Sequence, residues 1–331
     1  MNVTLKDVAQ LAGVSRSAVS RTFTEGASVS EKTRLKVMRA AEQLGYHPNA
    51  LASGLTTGRT KLIGLISNNF HNPIFLEVFD LFTRGLQARG LRPLIINLSD
   101  ETDPAQSVRQ LRQYSVDGVL VASSTVATDF ARAFRDAGMP VVHTFGRCAA
   151  APPIHVVGID NVECGRMAAR ALLDRGYRRL AFVGGPDSAT STQARRRGCL
   201  EVAGATSGAA ASHSFAETYS FDAGRAEMQR VLGQGAAEAY FCGDDVLSIG
   251  AMSGLQSAGL RIPEDVGVIG LNDMEMARWN NIDLTTLRQP LAQIIETSIE
   301  LVVSMLAAPD SPPRSILFPA ELMERGTLRR L

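Results

Sequence analysis

The sequence has no uninterrupted apolar run of membrane-spanning length, which excludes a helical membrane protein. Its first residues, MNVTLKDVAQLAGVS, are polar throughout and contain nothing like the apolar core of a secretory signal, so the chain is expected to work in the cytosol. Only four cysteines are present, Cys148, Cys164, Cys199 and Cys242, far apart and without a CxxC pair. That spacing fits neither a disulfide framework nor a zinc site, and predicts buried small hydrophobes in a reducing compartment. GxGxxG, Walker A, GxSxG and HExxH motifs are all missing, and the five histidines (47, 71, 143, 155 and 213) are scattered. No metal site, cofactor or catalytic residue is expected, and an enzyme is disfavoured.

Net charge is also nearly absent, at +1 over 331 residues, but it is unevenly spread. Residues 1–61 hold nine Lys/Arg against four acids, a net +5, so the remainder carries −4. A small basic head on a mildly acidic body points to a polyanion partner for the head alone. The length exceeds that of a usual single domain, so two or three cooperating units are expected.

The head reads as three helices. Thr4-Leu5-Lys6-Asp7 has the capping-box pattern, with Thr4 placed to accept from a first-turn N–H. Leu5, Val8, Ala9 and Ala12 follow at helical spacing, and Gly13 stops the helix. Ser15 can cap a second helix over residues 16–22, and the three-residue connection makes a helix-turn-helix. Ser30 can cap a third helix running to Leu44 and stopped by Gly45, with Val29, Leu35, Val37, Met38, Ala41 and Leu44 as its apolar face. Within VSRSAVSRT, Ala18 and Val19 face a core while Arg16, Ser17 and Arg21 point elsewhere. Alone, such a run is a solvated helix face. In a helix-turn-helix unit it enters the DNA major groove, where Arg16 can bond twice to guanine and Ser17 to several bases. Arg21, one turn on, reaches a base or a phosphate.

Residues 46–60, YHPNALASGLTTGRT, could form about two helical turns from Pro48, interrupted by Gly54 at roughly 1 kcal/mol relative to alanine. Such a piece folds only against a partner or serves as a plain linker. Leu55, large and apolar with no local core, argues against a pure linker. Beyond it the apolar runs 62–67, 93–98, 118–122, 140–145, 155–159, 180–185, 239–243 and 266–271 alternate with helix-length segments. That pattern predicts a parallel, doubly wound sheet, and eight or more strands imply two lobes.

The runs VTLKDVAQLAGVSRSAVSRTF and VSEKTRLKVMRAAEQLGYHPNALASGL, followed by VDGVLV, VVGIDNVECGRMAARALLDRGYRRLAFVGGP, FCGDDVLSIGAM, DVGVIGLND and LTTLRQPLAQI, resemble the lac repressor/galactose repressor family along essentially the whole chain. The resemblance implies an α/β protein with a helix-turn-helix head (1–46), a hinge (47–60) and a two-lobed, Rossmann-like, periplasmic-binding-protein-like body (61–331). The lobes would comprise about 61–159 with 290–318, and about 160–289 with 319–331, joined by crossovers near 158–162, 288–291 and 317–321. It implies a repressor whose binding to a pseudo-palindromic operator is controlled by a small-molecule effector. Thr4, Leu5, Lys6, Thr24, Asn49 and Ala52 join Arg16, Ser17 and Arg21 as DNA contacts, and Leu55 takes the place of a minor-groove wedge.

For the effector, the resemblance implies contacts from Arg195, Ser191 and Tyr219, the last either an aromatic platform or a core tyrosine. It adds Asp244 where the family usually has Asn, Asn272 where it usually has Asp, and Gln289. Phe70, Ile74, Phe75 and Phe145 come from the other lobe. Arg196 and Arg197 read as a charged helix face. With one carboxylate exchanged for one amide, the site suits a neutral, hydroxyl-rich ligand such as a sugar or polyol. A sugar acid or phosphate is the rival if Arg147 also turns inward. A periplasmic solute-binding protein shares the fold but has neither this basic head nor a signal-free start. Two-fold operator logic implies a homodimer, and ERGTLRRL lacks the leucine heptads of a tetramerising extension.

Overall fold

The computed structural model describes residues 3–24, 26–47, 54, 58–98, 103–308 and 311–331. The chain divides into two compact units, a head of residues 1–61 and a body of residues 62–331.

The head contains α1 (Leu5–Ala12), α2 (Arg16–Thr22) and α3 (Glu31–Leu44). Gly13 and Gly45 end α1 and α3 in the left-handed region, at φ 64° and 62°, where any other residue is strained. The Ser15 and Ser30 hydroxyls accept from the Ala18 and Thr33 N–H groups and cap α2 and α3. Thr4 and Asp7 form the expected capping box: Asp7 Oδ2 accepts from the Thr4 N–H at 2.8 Å, and it also accepts from the Thr4 hydroxyl at 2.7 Å. Val8, Val19, Val37, Ala40 and Ala41 form the core. Leu35 and Met38, assigned to the apolar face of α3, are instead 53% and 50% exposed. A short helix buries one stripe, and 37, 40, 41 and 44 occupy it, leaving 35 and 38 on a second one.

The first sheet of the body begins β1 (Leu62–Ser67), α4 (Ile74–Ala88), β2 (Arg92–Asn97), α5 (Pro104–Gln113), β3 (Gly118–Ala122), α6 (Thr128–Asp136), β4 (Val141–Thr144) and β5 (His155–Ile159). The chain then builds α7 (Asn161–Asp174), β6 (Arg179–Gly184), α8 (Thr190–Ala205), β7 (Ala210–Phe215), α9 (Phe221–Leu232), β8 (Ala239–Cys242), α10 (Asp245–Ser257), β9 (Gly267–Leu271) and, after a 3-10 turn at Glu275–Arg278, β10 (Thr286–Arg288). It returns through α11 (Leu291–Ala307) and β11 (Ser315–Phe318) to the first sheet and ends with β12 (Glu321–Met323) on the second. Strand orders are β11-β5-β4-β3-β1-β2 and β12-β10-β9-β8-β6-β7. Pairing is parallel except where β12 runs against β10. Four strands lack the apolar run used to find the others. β7, β11 and β12 are half-exposed edges, and β10 has three residues.

Two glycine pairs bring helices into backbone contact. A Cβ on Gly198 of α8 would collide with the Val162 carbonyl at the start of α7, and one on Gly165 of α7 with the Arg195 carbonyl. Gly224 of α9 and Gly250 of α10 meet Leu247 and Phe221 in the same way. Three of the four cysteines behave as the expected small apolar groups: Cys164, Cys199 and Cys242 are buried, and burial pushes their thiols up to about 12, whereas Cys148 is only partly buried. Among the described residues no helix is long and apolar enough to cross a membrane. Gly198→Ala should lower stability by about 1–3 kcal/mol, the range for overpacking a tight interface. Denaturant unfolding measures it, and an unchanged midpoint contradicts the close approach.

Candidate functional site

On the head, α2 turns Val19 and Thr22 inward and leaves Arg16, Ser17 and Arg21 exposed. Arg16 has no polar partner among the described residues. The Ser17 hydroxyl is 2.9 Å from that of Ser15. Arg21 Nε donates to the Ser17 carbonyl at 3.3 Å, and its two Nη groups have no partner among the described residues. Thr4 and Lys6 are exposed at the start of α1, whereas Leu5 packs partly on the core. The Thr24 hydroxyl is spent on the Ser20 carbonyl at 2.9 Å. Asn49, Ala52 and Leu55 lie outside the described residues.

In the body, a cavity opens between the lobes at the carboxyl ends of the strands, the usual ligand position in parallel sheets. It is narrow, with about 40 Å³ open to the centres of water-sized molecules. Ile74, Phe75, Phe145, Arg195, Tyr219, Asp244, Asn272 and Gln289 line it together, as do Asn69, Asn72, Ser124 and Asn161. Three expected members do not. Phe70 stacks on Phe79, with ring centroids 4.7 Å apart. Arg147 is exposed and faces a separate outer groove. Ser191 lines that groove too, its hydroxyl bonded to the Ser124 carbonyl at 3.2 Å.

Each polar wall residue is held by its element. The close α7–α8 crossing seats Arg195, whose Nε donates to Asn161 Oδ1 at 2.8 Å and whose Nη1 donates to the Gly243 carbonyl at 2.6 Å. Asp244, 3% exposed, caps α10 through the Val246 and Leu247 N–H groups. Burial raises its carboxyl above the ordinary value, while bonds from Asn72 and the helix start and the nearby Arg195 oppose the rise. Gln289 Nε2 donates to Asn272 Oδ1 at 2.7 Å, and Asn272 Nδ2 donates to Asp244 Oδ2 at 2.8 Å. Gln289 Oε1 is buried with no partner among the described residues. Tyr219 lies against Gly185, where a side chain would strike the ring, and its hydroxyl meets Thr192 Oγ1 at 2.6 Å. Phe145 (φ 69°) and Asn272 (φ 123°) hold left-handed backbone at the cavity wall, the kind of strain that clusters at functional sites.

Asn69, Asn72 and Asn161 escaped the reading of the sequence. The available signal was the pair Asn72-Pro73 just before α4, a helix-start signature: Asn72 Oδ1 accepts from the Ile74 N–H at 3.2 Å. Beneath the cavity sit two more buried carboxylates. Asp273 bonds to Arg325, to Arg278 at 2.9 Å and faces Arg288 at 4.0 Å. Asp245 has no cation on it among the described residues; it accepts from Thr286 Oγ1 at 2.5 Å and from the Met274 N–H at 2.8 Å. Burial, reinforced by Asp244 and Asp273, pushes it up to about 7.

Residues 4–49 match the lacI family of bacterial regulatory proteins, and residues 150–328 match a periplasmic binding protein-like domain. The chain is 30% identical to the HTH-type transcriptional repressor PurR of Vibrio vulnificus (strain CMCP6), covering 99% of each. It is 29% identical to the PurR repressor of Yersinia enterocolitica, covering 98% of this chain and 96% of that one. Among solved structures, the lac repressor dimer bound to operator and the anti-inducer ONPF has a TM-score of 0.88 at 24% identity, a likeness of fold, covering 99% of this chain and 100% of that one. The transcriptional regulator CelR in complex with cellobiose has a TM-score of 0.73 at 29% identity, covering 98% and 100%.

The proton on Asp245 gives the body a pH dependence. The carboxyl is raised from 3.8 to about 7 on folding, so between those values the folded chain keeps a proton that the unfolded chain releases. Its stabilising contribution is full below about pH 4 and lost as pH rises to about 7. Asp245→Asn lacks that loss, so its stability relative to wild type should climb across this window and then level. A pH-independent difference in denaturant midpoints contradicts the assignment.

Proposed function

The chain belongs to the lacI family of bacterial regulatory proteins, and from that premise we propose that it is a cytosolic repressor whose hold on operator DNA is set by a neutral, hydroxyl-rich effector between the lobes. The DNA-binding repressor class follows from the family. The effector class rests on the cavity.

The carrying observation is charge balance. Arg195 and Asp244 are the ionisable pair of the wall, and the polar groups around them are the amides of Asn69, Asn72, Asn161, Asn272 and Gln289. Arg147, the residue whose inward turn would favour an anion, faces the outer groove. Amides both donate and accept, as sugar hydroxyls do, and the unpartnered Gln289 Oε1 calls for a donor from the ligand. Tyr219, fixed by Thr192, supplies an aromatic surface for an apolar sugar face or a flat base. The 29% identical regulator solved with cellobiose is consistent with a neutral sugar.

A homodimer fits the exposed apolar side chains of the body, where Leu76 is 73% and Trp279 53% exposed. Two copies place two α2 helices on a pseudo-palindrome, with Arg16 and Ser17 reading bases and Leu55 wedging the minor groove between.

Arg16→Ala should cost about 1–3 kcal/mol per half-site and relax preference at one base pair. Selection from a randomised operator pool, followed by titration, measures both; equal weakening on every sequence makes Arg16 a phosphate contact. Calorimetry of the full chain against neutral mono- and disaccharides, their sugar acids and phosphates, and free nucleobases should find heat only with neutral sugars or polyols. Binding confined to the acids or phosphates overturns the charge argument, and binding of a nucleobase overturns the hydroxyl-rich class.

A further inference from the structure

Asp244 is shared between the lobes. Its Oδ1 accepts from the Val246 N–H at 2.7 Å and the Leu247 N–H at 3.4 Å. Its Oδ2 accepts from Asn272 Nδ2 at 2.8 Å and from Asn72 Nδ2 at 2.9 Å. A carboxylate offers about four acceptor positions, and all are taken. Three of these donors come from the lobe of Asp244; Asn72 comes from the other. Its carboxamide cannot turn freely, because its oxygen holds the Ile74 N–H at the start of α4, so the NH2 is aimed across the cleft. The bond from Ser191 to the Ser124 carbonyl crosses the cleft at a second place. The cavity between these two contacts is narrow.

We propose that Asn72 is a built-in competitor of the effector. Its carboxamide occupies the acceptor on Asp244 that an incoming hydroxyl or N–H needs, and it keeps the lobes closed until displaced. The displacing group has to donate. A hydroxyl or N–H replaces the amide proton for proton, whereas a carboxylate, phosphate or ether brings a lone pair against the Asp244 lone pairs. Asn72 thereby selects the chemistry of the effector as well as setting how much is needed. The bond is charge-assisted and buried, hence stronger than a bond between neutral groups. The selectivity rests on the cleft being the effector site; the strap itself does not.

The test uses the full chain with Arg132→Cys and Gln229→Cys as spin-label sites, exposed on α6 and α9 of opposite lobes, in a Cys148→Ser background. Labelled chains are diluted with unlabelled ones, and the distance distribution is read by pulsed electron spin resonance without any effector. Wild type should give one narrow distribution, and Asn72→Ala a longer and broader one. Asp244→Asn should do the same by another route. With its oxygen retained by the α10 cap, its NH2 meets the NH2 of Asn72, and the α4 cap is untouched. Circular dichroism verifies that each variant is folded, and Asp244→Asn decides the matter if Asn72→Ala is not. Unchanged distances in the folded variants overturn the proposal, as does opening in only one of two folded variants. Because no effector is present, this outcome is independent of the ligand class proposed above.

Discussion

The body is organised around a buried negative charge that must be satisfied. Asp244 sits where β8 ends and α10 begins, 3% exposed, and a carboxylate there is tolerable only with a full complement of donors. The helix start supplies two, and the end of β9 supplies a third through Asn272. The last comes from across the cleft. Helix capping, cavity wall and lobe contact are thus one arrangement. Gln289, on the crossover after β10, extends it by holding Asn272. A displacement of the crossover is therefore felt at the carboxylate within two hydrogen bonds.

The neighbouring carboxylates solve the same problem in other ways. Asp273 gathers arginines from the 3-10 turn, β10 and the C-terminal segment, pinning three pieces of chain to one point. Breaking such a cluster leaves an uncompensated charge, the expensive failure in a buried ion pair. Asp245, pushed up to about 7, relies on Thr286 and the Met274 N–H. Three acids within thirty residues of sequence are thus satisfied by a helix start, by arginines and by neutral donors.

Central strands were legible because burial on both faces writes them as apolar runs; LIGLIS and GVLVA coincide with β1 and β3. Edge strands such as AASHSF are half-exposed and leave no such trace. The same ambiguity placed Leu35 and Met38 inside when α3 turns them out. In the cleft, spacing correctly put Ser191 one turn from Arg195, but spacing gives a face and not a reach, and its hydroxyl found the Ser124 carbonyl first. The search for an aromatic wall reached Phe75 and Phe145, while Phe70 stacked on Phe79. Asn72 was passed over because its role depends on a residue 172 positions away, which no local pattern encodes.

The strand orders also bear on biosynthesis. The first sheet waits for β11 and the second for β12, so neither acquires its final edge until the segment after α11 has been made. At about 5–20 residues per second, the time from the emergence of β1 to that of β12 is roughly ten seconds to a minute. Within that interval the β5 edge is unpaired from its emergence until that of β11, and the β10 edge only over the short stretch before β12; such edges are the templates on which strands of other chains add. Nascent copies on one message are thus exposed to mispairing from the emergence of β5 until β11 and β12 follow, and demand for chaperones should be greatest in that interval.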